Sequence, residues 1–125
     1  MKVIIPVAGH GVRLEPHSNY TQKCLLPVAG KPILAHILNR ITTVGVDEVV
    51  LIIGHLGEHV REFCKNYNET INFTFVEQKE QLGLGHAVGL GLEDIDEPVL
   101  IILGDSIFEL DYLEFISSKY NSIGV

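Results

Sequence analysis

Three short apolar runs decide what this chain can fold into: Val3–Val7, Glu48–Ile53 and Val99–Leu103, each followed closely by a glycine. Runs of this length are too short for helices. Apolar along nearly their whole length, they suit strands buried on both faces. Between them the period changes. Lys31-Pro32 is expected to open a helix, with Pro32 suited to its first turn; Ile33, Leu34, Ile37, Leu38, Ile41 and Val44 then recur at helical spacing, and Gly45 ends it. Further helices are expected from Glu58 to about Tyr67, over the small-residue stretch Gly85–Leu92, and over Asp111–Tyr120. Asn72–Val76 alternates and reads as one more strand, whereas Ala8 to about Gly30 reads as loop. Apolar strands alternating with helices predict an α/β fold: a Rossmann-like three-layer sandwich with a mainly parallel sheet and right-handed crossovers. Gly124-Val125 looks like the start of another strand, so the expectation is one domain over 1–125 that is incomplete.

Ligands of such sheets bind beyond the carboxyl ends of the strands, near the point where strand order reverses. The chemistry-bearing residues fall there: Gly9 to Arg13 after the first strand, Gln78 after Asn72–Val76, and Asp105 after Val99–Leu103. The formal net charge of −7 argues against a general binder of nucleic acid or anionic membrane. Positive charge for an anionic ligand must then be concentrated locally, as it is at Arg13, Lys23 and Lys31. Cys24 and Cys64 form no spaced metal motif, and reduced thiols in a cytoplasmic protein are the expectation. Met1-Lys2 leads into a short run that Pro6 and Gly9 interrupt, so no signal peptide is expected, and no apolar run approaches the length of a membrane span.

The stretch Ile5-Pro6-Val7-Ala8-Gly9-His10-Gly11-Val12-Arg13-Leu14-Glu15-Pro16, continuing to Lys23-Cys24-Leu25-Leu26-Pro27-Val28, carries the functional signal. Glycines let main-chain N–H groups come close to an anion, and an arginine and a lysine beyond them add fixed charge. The glycine pair is not a dinucleotide fingerprint, because Leu14 holds the third glycine position. His55-Leu56-Gly57-Glu58-His59 matches an inverted zincin order on paper, but Gly54 and Gly57 argue for a turn and helix start. A lone glycine pair would be weak. Two further blocks strengthen it: Glu77-Gln78-Lys79-Glu80-Gln81-Leu82-Gly83-Leu84-Gly85-His86-Ala87 and Leu103-Gly104-Asp105-Ser106-Ile107-Phe108.

Together these three ordered blocks resemble the sugar nucleotidyltransferases, in their N-terminal half, and most of all the glucose-1-phosphate thymidylyl- and uridylyltransferases. The resemblance implies a transferase of nucleotide-sugar biosynthesis. In its reaction a sugar 1-phosphate attacks the α-phosphorus of a nucleoside triphosphate, dTTP or UTP, and expels pyrophosphate, with Mg²⁺ as cofactor. Such chemistry needs charge neutralisation and in-line positioning more than an acid–base pair. Arg13 is then expected on the β- and γ-phosphates and Lys23 between the sugar phosphate and the α-phosphate. Ala8, Gly9, Gly11 and Val12 would contribute backbone to the nucleotide, Gln78 and Gly83 would hold the base, and Asp105 would bind the metal. A second metal aspartate and the sugar-binding segment would lie beyond Val125. This chain alone is therefore expected to be inactive, and to need self-association or a partner chain over its open sheet edge.

Several positions depart from the pattern. Val12 removes a hydroxyl beside the phosphates, and Leu84 replaces a frequent threonine or small residue. Gln22 and Cys24 replace prolines, so a less rigid loop around Lys23 is expected. Gln81 and Glu80 read as ordinary loop residues, and His86 as structural. Two alternatives stay open: a non-catalytic nucleotide-binding regulatory domain, and an interaction module using the fold as scaffold.

Overall fold

The computed structural model describes residues 1–9, 21–109, 111–118 and 121–123. In chain order it contains β1 (Lys2–Pro6), a 3-10 turn (Lys23–Leu25), β2 (Pro27–Val28), β3 (Lys31–Pro32), α1 (Ile33–Thr43), β4 (Glu48–Ile53), α2 (Gly57–Lys65), β5 (Asn72–Glu77), α3 (Leu84–Leu92), β6 (Val99–Ile101) and α4 (Tyr112–Ile116). Four strands pair in the order β5-β4-β1-β6, and every pairing is parallel. Register sets Val3 beside Val49 and Leu100, and Val49 beside Phe73.

The pleat sorts the strand side chains into two layers. Val3 and Ile5 of β1, with Val7 just beyond it, join Val49, Leu51, Ile53, Leu100 and Ile102 in one core, closed by Leu34, Ile37, Leu38 and Ile41 of α1 and Val60 and Cys64 of α2. Their neighbours Ile4, Ala8, Val50 and Ile52 face the other way, against Ala87 of α3. That is the expected three-layer sandwich. Alternation by two residues along a strand requires it once both faces carry helices. Fully burying each isoleucine or leucine stabilises the fold by about 1.5–3 kcal/mol. Ile4, Ile5, Leu34, Leu38, Ile41, Leu51 and Ile52 are all sealed from solvent.

Within the segment read as loop to Gly30, the described residues 21–30 hold more order than their composition suggests. Pro27–Val28 and Lys31–Pro32 form a small antiparallel hairpin. Its turn residues Ala29 and Gly30 have φ of 50° and 80°, the paired positive values of a type I′ turn. Lys31-Pro32 therefore forms β3 and caps α1 rather than starting its first turn; Pro32 sits at ψ 146° as the N-cap. α4 is shorter than expected and ends at Ile116, with Asp111 capping it through the N–H of Glu114. The anticipated strand at Gly124-Val125 lies outside the described residues.

From β1 the strand order runs outward through β4 to β5, then returns to the opposite side of β1 with β6. The reversal, and so the crevice in which such sheets hold ligands, lies between the carboxyl ends of β1 and β6.

Candidate active site

Four strand ends and one turn converge at this edge. β1 runs out into Val7, Ala8 and Gly9, β4 into Gly54, β5 into Gln78, and β6 towards Gly104 and Asp105. The 3-10 turn brings Gln22 and Lys23 to the same edge. Gly11, Val12 and Arg13 lie outside the described residues. Lys31 is exposed on β3, and none of the described contacts joins it to Lys23 or Asp105.

Lys23 and Asp105, 82 positions apart in sequence, meet here: Lys23 Nζ donates to Asp105 Oδ2 at 3.1 Å. The pair joins the 3-10 turn to the segment that follows β6. Burial raises the Asp105 carboxyl, but hydrogen bonds from Lys23 and Ser106 and the lysine charge outweigh it, and the net result lies below the ordinary value. Both side chains keep access to water, at 31% and 45% exposure. An ion pair so placed contributes only about 0–1 kcal/mol, so it can exchange partners at little cost.

Behind the pair, Gly104 lets β6 approach β1. A Cβ on Gly104 would lie 2.3 Å from Val7 Cγ1 and 3.1 Å from the Pro6 carbonyl oxygen. The Asp105 backbone can reach this depth only because position 104 lacks a side chain.

Gln22 corrects the expectation of a loose loop around Lys23. Its side chain is buried, at 2% exposure. Nε2 donates to the carbonyls of Val7 and Gly9, the latter at 2.9 Å, while Oε1 accepts the Cys24 N–H at 2.9 Å. One amide thus ties the lysine turn to the chain leaving β1. It does by hydrogen bonding what a flanking proline would do by restricting φ. Cys24 beneath it is pushed up to about 12, mainly by burial and then by the proximity of Cys64. Its thiol is a core group and not a nucleophile.

Gln81 also differs from its sequence reading. Its Nε2 donates to the Ala8 carbonyl at 2.9 Å, linking the loop after β5 to the end of β1. Gly54 makes room for this contact, since a Cβ there would stand 3.0 Å from the Ala8 oxygen and 3.2 Å from Gln81 Nε2. Only proximity in three dimensions reveals Gln81, because 73 positions separate the partners.

Gln78 is buried at 4% exposure. Its backbone N–H continues the ladder to the Ile53 carbonyl at 2.8 Å. Its side-chain Nε2 lies 3.2 Å from the Gly83 carbonyl and 2.9 Å from His86 Nδ1. Gly83 takes φ +98° at the N-terminus of α3, a conformation that favours glycine. His86, read as structural, is thus a neighbour of the predicted base reader. His55 sits in the turn before α2 and His59 on α2, with Leu56 in the left-handed region between them. Among the described residues no group of three His, Cys, Asp or Glu side chains could hold a metal.

The donor chemistry at Asp105 fits a magnesium ion shared with substrate. Its oxygens are hard ligands, and it is half-exposed at the mouth of the crevice. A single carboxylate is also the kind of protein contribution Mg²⁺ accepts when phosphates supply the rest. No described helix is long and apolar enough to cross a membrane.

Several known proteins are similar to this chain over most of its length. The bifunctional protein GlmU of Methanocaldococcus jannaschii is 39% identical over 120 residues, covering 96% of this chain and 28% of that protein. The UTP–glucose-1-phosphate uridylyltransferase AglF of Haloferax volcanii is 35% identical over 109 residues, covering 86% of this chain and 44% of its own length. Among solved structures, a glucose-1-phosphate thymidylyltransferase from Bacillus anthracis, so assigned provisionally, superposes with a TM-score of 0.82 at 30% identity. That match covers 93% of this chain and 48% of the other. The chain thus spans under a third of the GlmU relative and about half of the matched structure. A family model for the MobA-like NTP transferase domain matches residues 3–122. The chain belongs to that family of nucleotidyltransferases.

Proposed function

We propose that residues 1–125 are a nucleotide-binding subdomain of a sugar-1-phosphate nucleotidyltransferase that uses dTTP or UTP, with glucose 1-phosphate as the acceptor. The observation that carries the reading is the Lys23–Asp105 pair, which joins the turn after β1 to the segment after β6 on either side of the point where strand order reverses. It sets a fixed cation and a magnesium-type carboxylate about one hydrogen bond apart, where an α-phosphate with its attacking and leaving oxygens has to be neutralised. The similarity to a UTP–glucose-1-phosphate uridylyltransferase and to a glucose-1-phosphate thymidylyltransferase supports the choice of substrates.

In this reading Lys23 turns from Asp105 to the α-phosphate and the incoming sugar phosphate. Its charge offsets the repulsion between two anions, and the Gln22 bonds to Val7, Gly9 and Cys24 hold the turn that carries it. Arg13 grips the β- and γ-phosphates and then the departing pyrophosphate, a planar fork suited to paired oxygens. The backbone of Ala8, Gly9, Gly11 and Val12 lines the nucleotide. Gln78 and Gly83 hold the base edge. Asp105 would hold Mg²⁺, which supplies charge neutralisation on the phosphate oxygens when bound.

Calorimetric titration with UTP and dTTP in Mg²⁺ tests the proposal. Saturable binding is expected, weakened roughly tenfold to a hundredfold in Arg13→Ala, as for loss of a charge-assisted contact. Equal affinity for the variant and the parent would reject the assignment of Arg13. A parent protein that binds neither nucleotide would reject the whole reading.

A further inference from the structure

The hydrogen-bond polarity around Gln78 has a consequence for which bases can be held. At most resolutions the two ends of a glutamine amide look alike, and partners must decide which is which. Here one partner decides. The Gly83 carbonyl, 3.2 Å from the amide, can only accept, so the atom facing it is the NH₂. His86 Nδ1 lies 2.9 Å from that same nitrogen and must accept as well. An imidazole that accepts at Nδ1 carries its hydrogen on Nε2. Both amide hydrogens of Gln78 are thereby engaged by the protein. The carbonyl oxygen Oε1 is the group left to meet a ligand.

We infer that His86 is a positioning residue for base selection: by engaging the second amide hydrogen of Gln78, it makes that side chain an acceptor towards the base. This deepens the proposed function and rests on Gln78 facing the base. An acceptor-only amide suits the imino N–H of uracil and thymine. It opposes the N3 lone pair of cytosine, which would face another lone pair. The Gly83 carbonyl also accepts the Ala87 N–H that opens α3, at 3.2 Å, so the amide's anchor is fixed by the helix. His86 itself is exposed on α3. It can therefore be changed without opening the core.

Loss of the Nδ1 acceptor should free one amide hydrogen of Gln78 to donate to cytosine N3. The test compares UTP with CTP by calorimetry in wild type, His86→Leu and His86→Asn, beside urea unfolding and ¹⁵N spectra of the His86 ring. The parent is expected to prefer UTP. His86→Leu should cut that preference by roughly tenfold, the scale of one hydrogen bond, with a cooperative urea transition showing that the fold is kept. His86→Asn keeps an acceptor and should restore part of the preference. The ring spectra of the free protein should show the Nε2–H form. An undiminished UTP preference in His86→Leu would overturn the inference while leaving nucleotide binding intact. A ring hydrogen on Nδ1 would also overturn it. If the parent binds neither nucleotide, the underlying reading and this inference fall together.

Discussion

The two ends of the candidate site are built from opposite materials. At the β1–β6 side stands one exposed ion pair, Lys23 with Asp105. Beside it, from the chain leaving β1 across to the end of β5, stand three neutral amides, Gln22, Gln81 and Gln78, each donating to backbone carbonyls and two of them buried. An exposed ion pair costs little to open, because water and salt already compete for both charges. A buried amide with its partners in place is costly to disturb, because any group left behind loses its partner away from water. The difference matches the division of labour in the proposed reaction. Phosphates arrive and leave as their charge is redistributed, so their end must change partners. A base is only recognised, and the backbone that carries Lys23 only has to stay in place, so the amides that hold these parts can be rigid.

The largest effect expected from breaking this contrast is at Gln22. Gln22→Leu would remove the donor to the Val7 and Gly9 carbonyls and the acceptor of the Cys24 N–H. The expected loss is about 2–3 kcal/mol from unpaired backbone groups, or a fall in Tm of roughly 10 °C for a domain of this size. Alkylation of Cys24 by iodoacetamide at pH 8, followed by mass spectrometry, should accelerate at least severalfold as its cover loosens. A variant as stable as the parent would mean that the amide end is no more rigid than the charged one.

Gly104→Ala comes next. Its new methyl would collide with Val7 and crowd the Pro6 carbonyl, so a loss of about 1–3 kcal/mol is expected, as for overpacking in a core. Urea denaturation would measure it. An unchanged midpoint would show that β6 can move away from β1 freely, and that the crevice is not fixed by close approach. Lys23→Met should then separate binding from stability. Its urea midpoint should move by no more than about 0.5 kcal/mol equivalent. Its affinity for Mg²⁺-triphosphate should fall roughly tenfold or more. A large stability loss without an affinity loss would make the ion pair structural and undo the comparison.

How much of this was legible in the sequence follows from which interactions are local. Strand and helix identity came through because period and burial are written residue by residue: Glu48–Ile53 as a strand is both predicted and observed. The positions of Gln78 and Asp105 at strand ends followed from the same pattern. The hairpin at Pro27–Pro32 was missed because two-residue strands carry no periodicity, and Ala29 is an unusual residue at φ 50°. Gln22 was misread for a different reason. Beside Lys23 it looked like a lost proline, and only the fold shows that its amide reaches back 15 positions to Val7. Gln81 reads as a loop residue because its partner, the Ala8 carbonyl, lies 73 positions away. Long-range amide contacts leave no spacing rule in a single sequence, whereas glycine-loop chemistry does.

The smallest expected effect concerns pH, and it tests whether the charged end carries any of the fold. Asp105 is held below its ordinary value of 3.8, burial being outweighed by the bonds from Lys23 and Ser106 and by the lysine charge. A carboxyl lowered in the folded state binds fewer protons there than when unfolded. Its contribution to stability is therefore complete above the ordinary carboxylate range and is lost as pH falls through the folded value. Because the side chain is 45% exposed, solvent screening should hold this contribution to a few tenths of a kcal/mol, in the lower part of the range for exposed pairs. Urea midpoints measured from pH 6 down to pH 3 in the parent and in Asp105→Asn would show it as a slightly steeper acid decline in the parent. High salt should narrow the gap between the two curves, since the pair is open to ions. Identical slopes in low salt would mean that Lys23 and Asp105 do not hold each other in solution. A gap of several kcal/mol that salt leaves untouched would instead make the pair as rigid as the amides opposite it, and the division between an exchangeable end and a fixed end would fail.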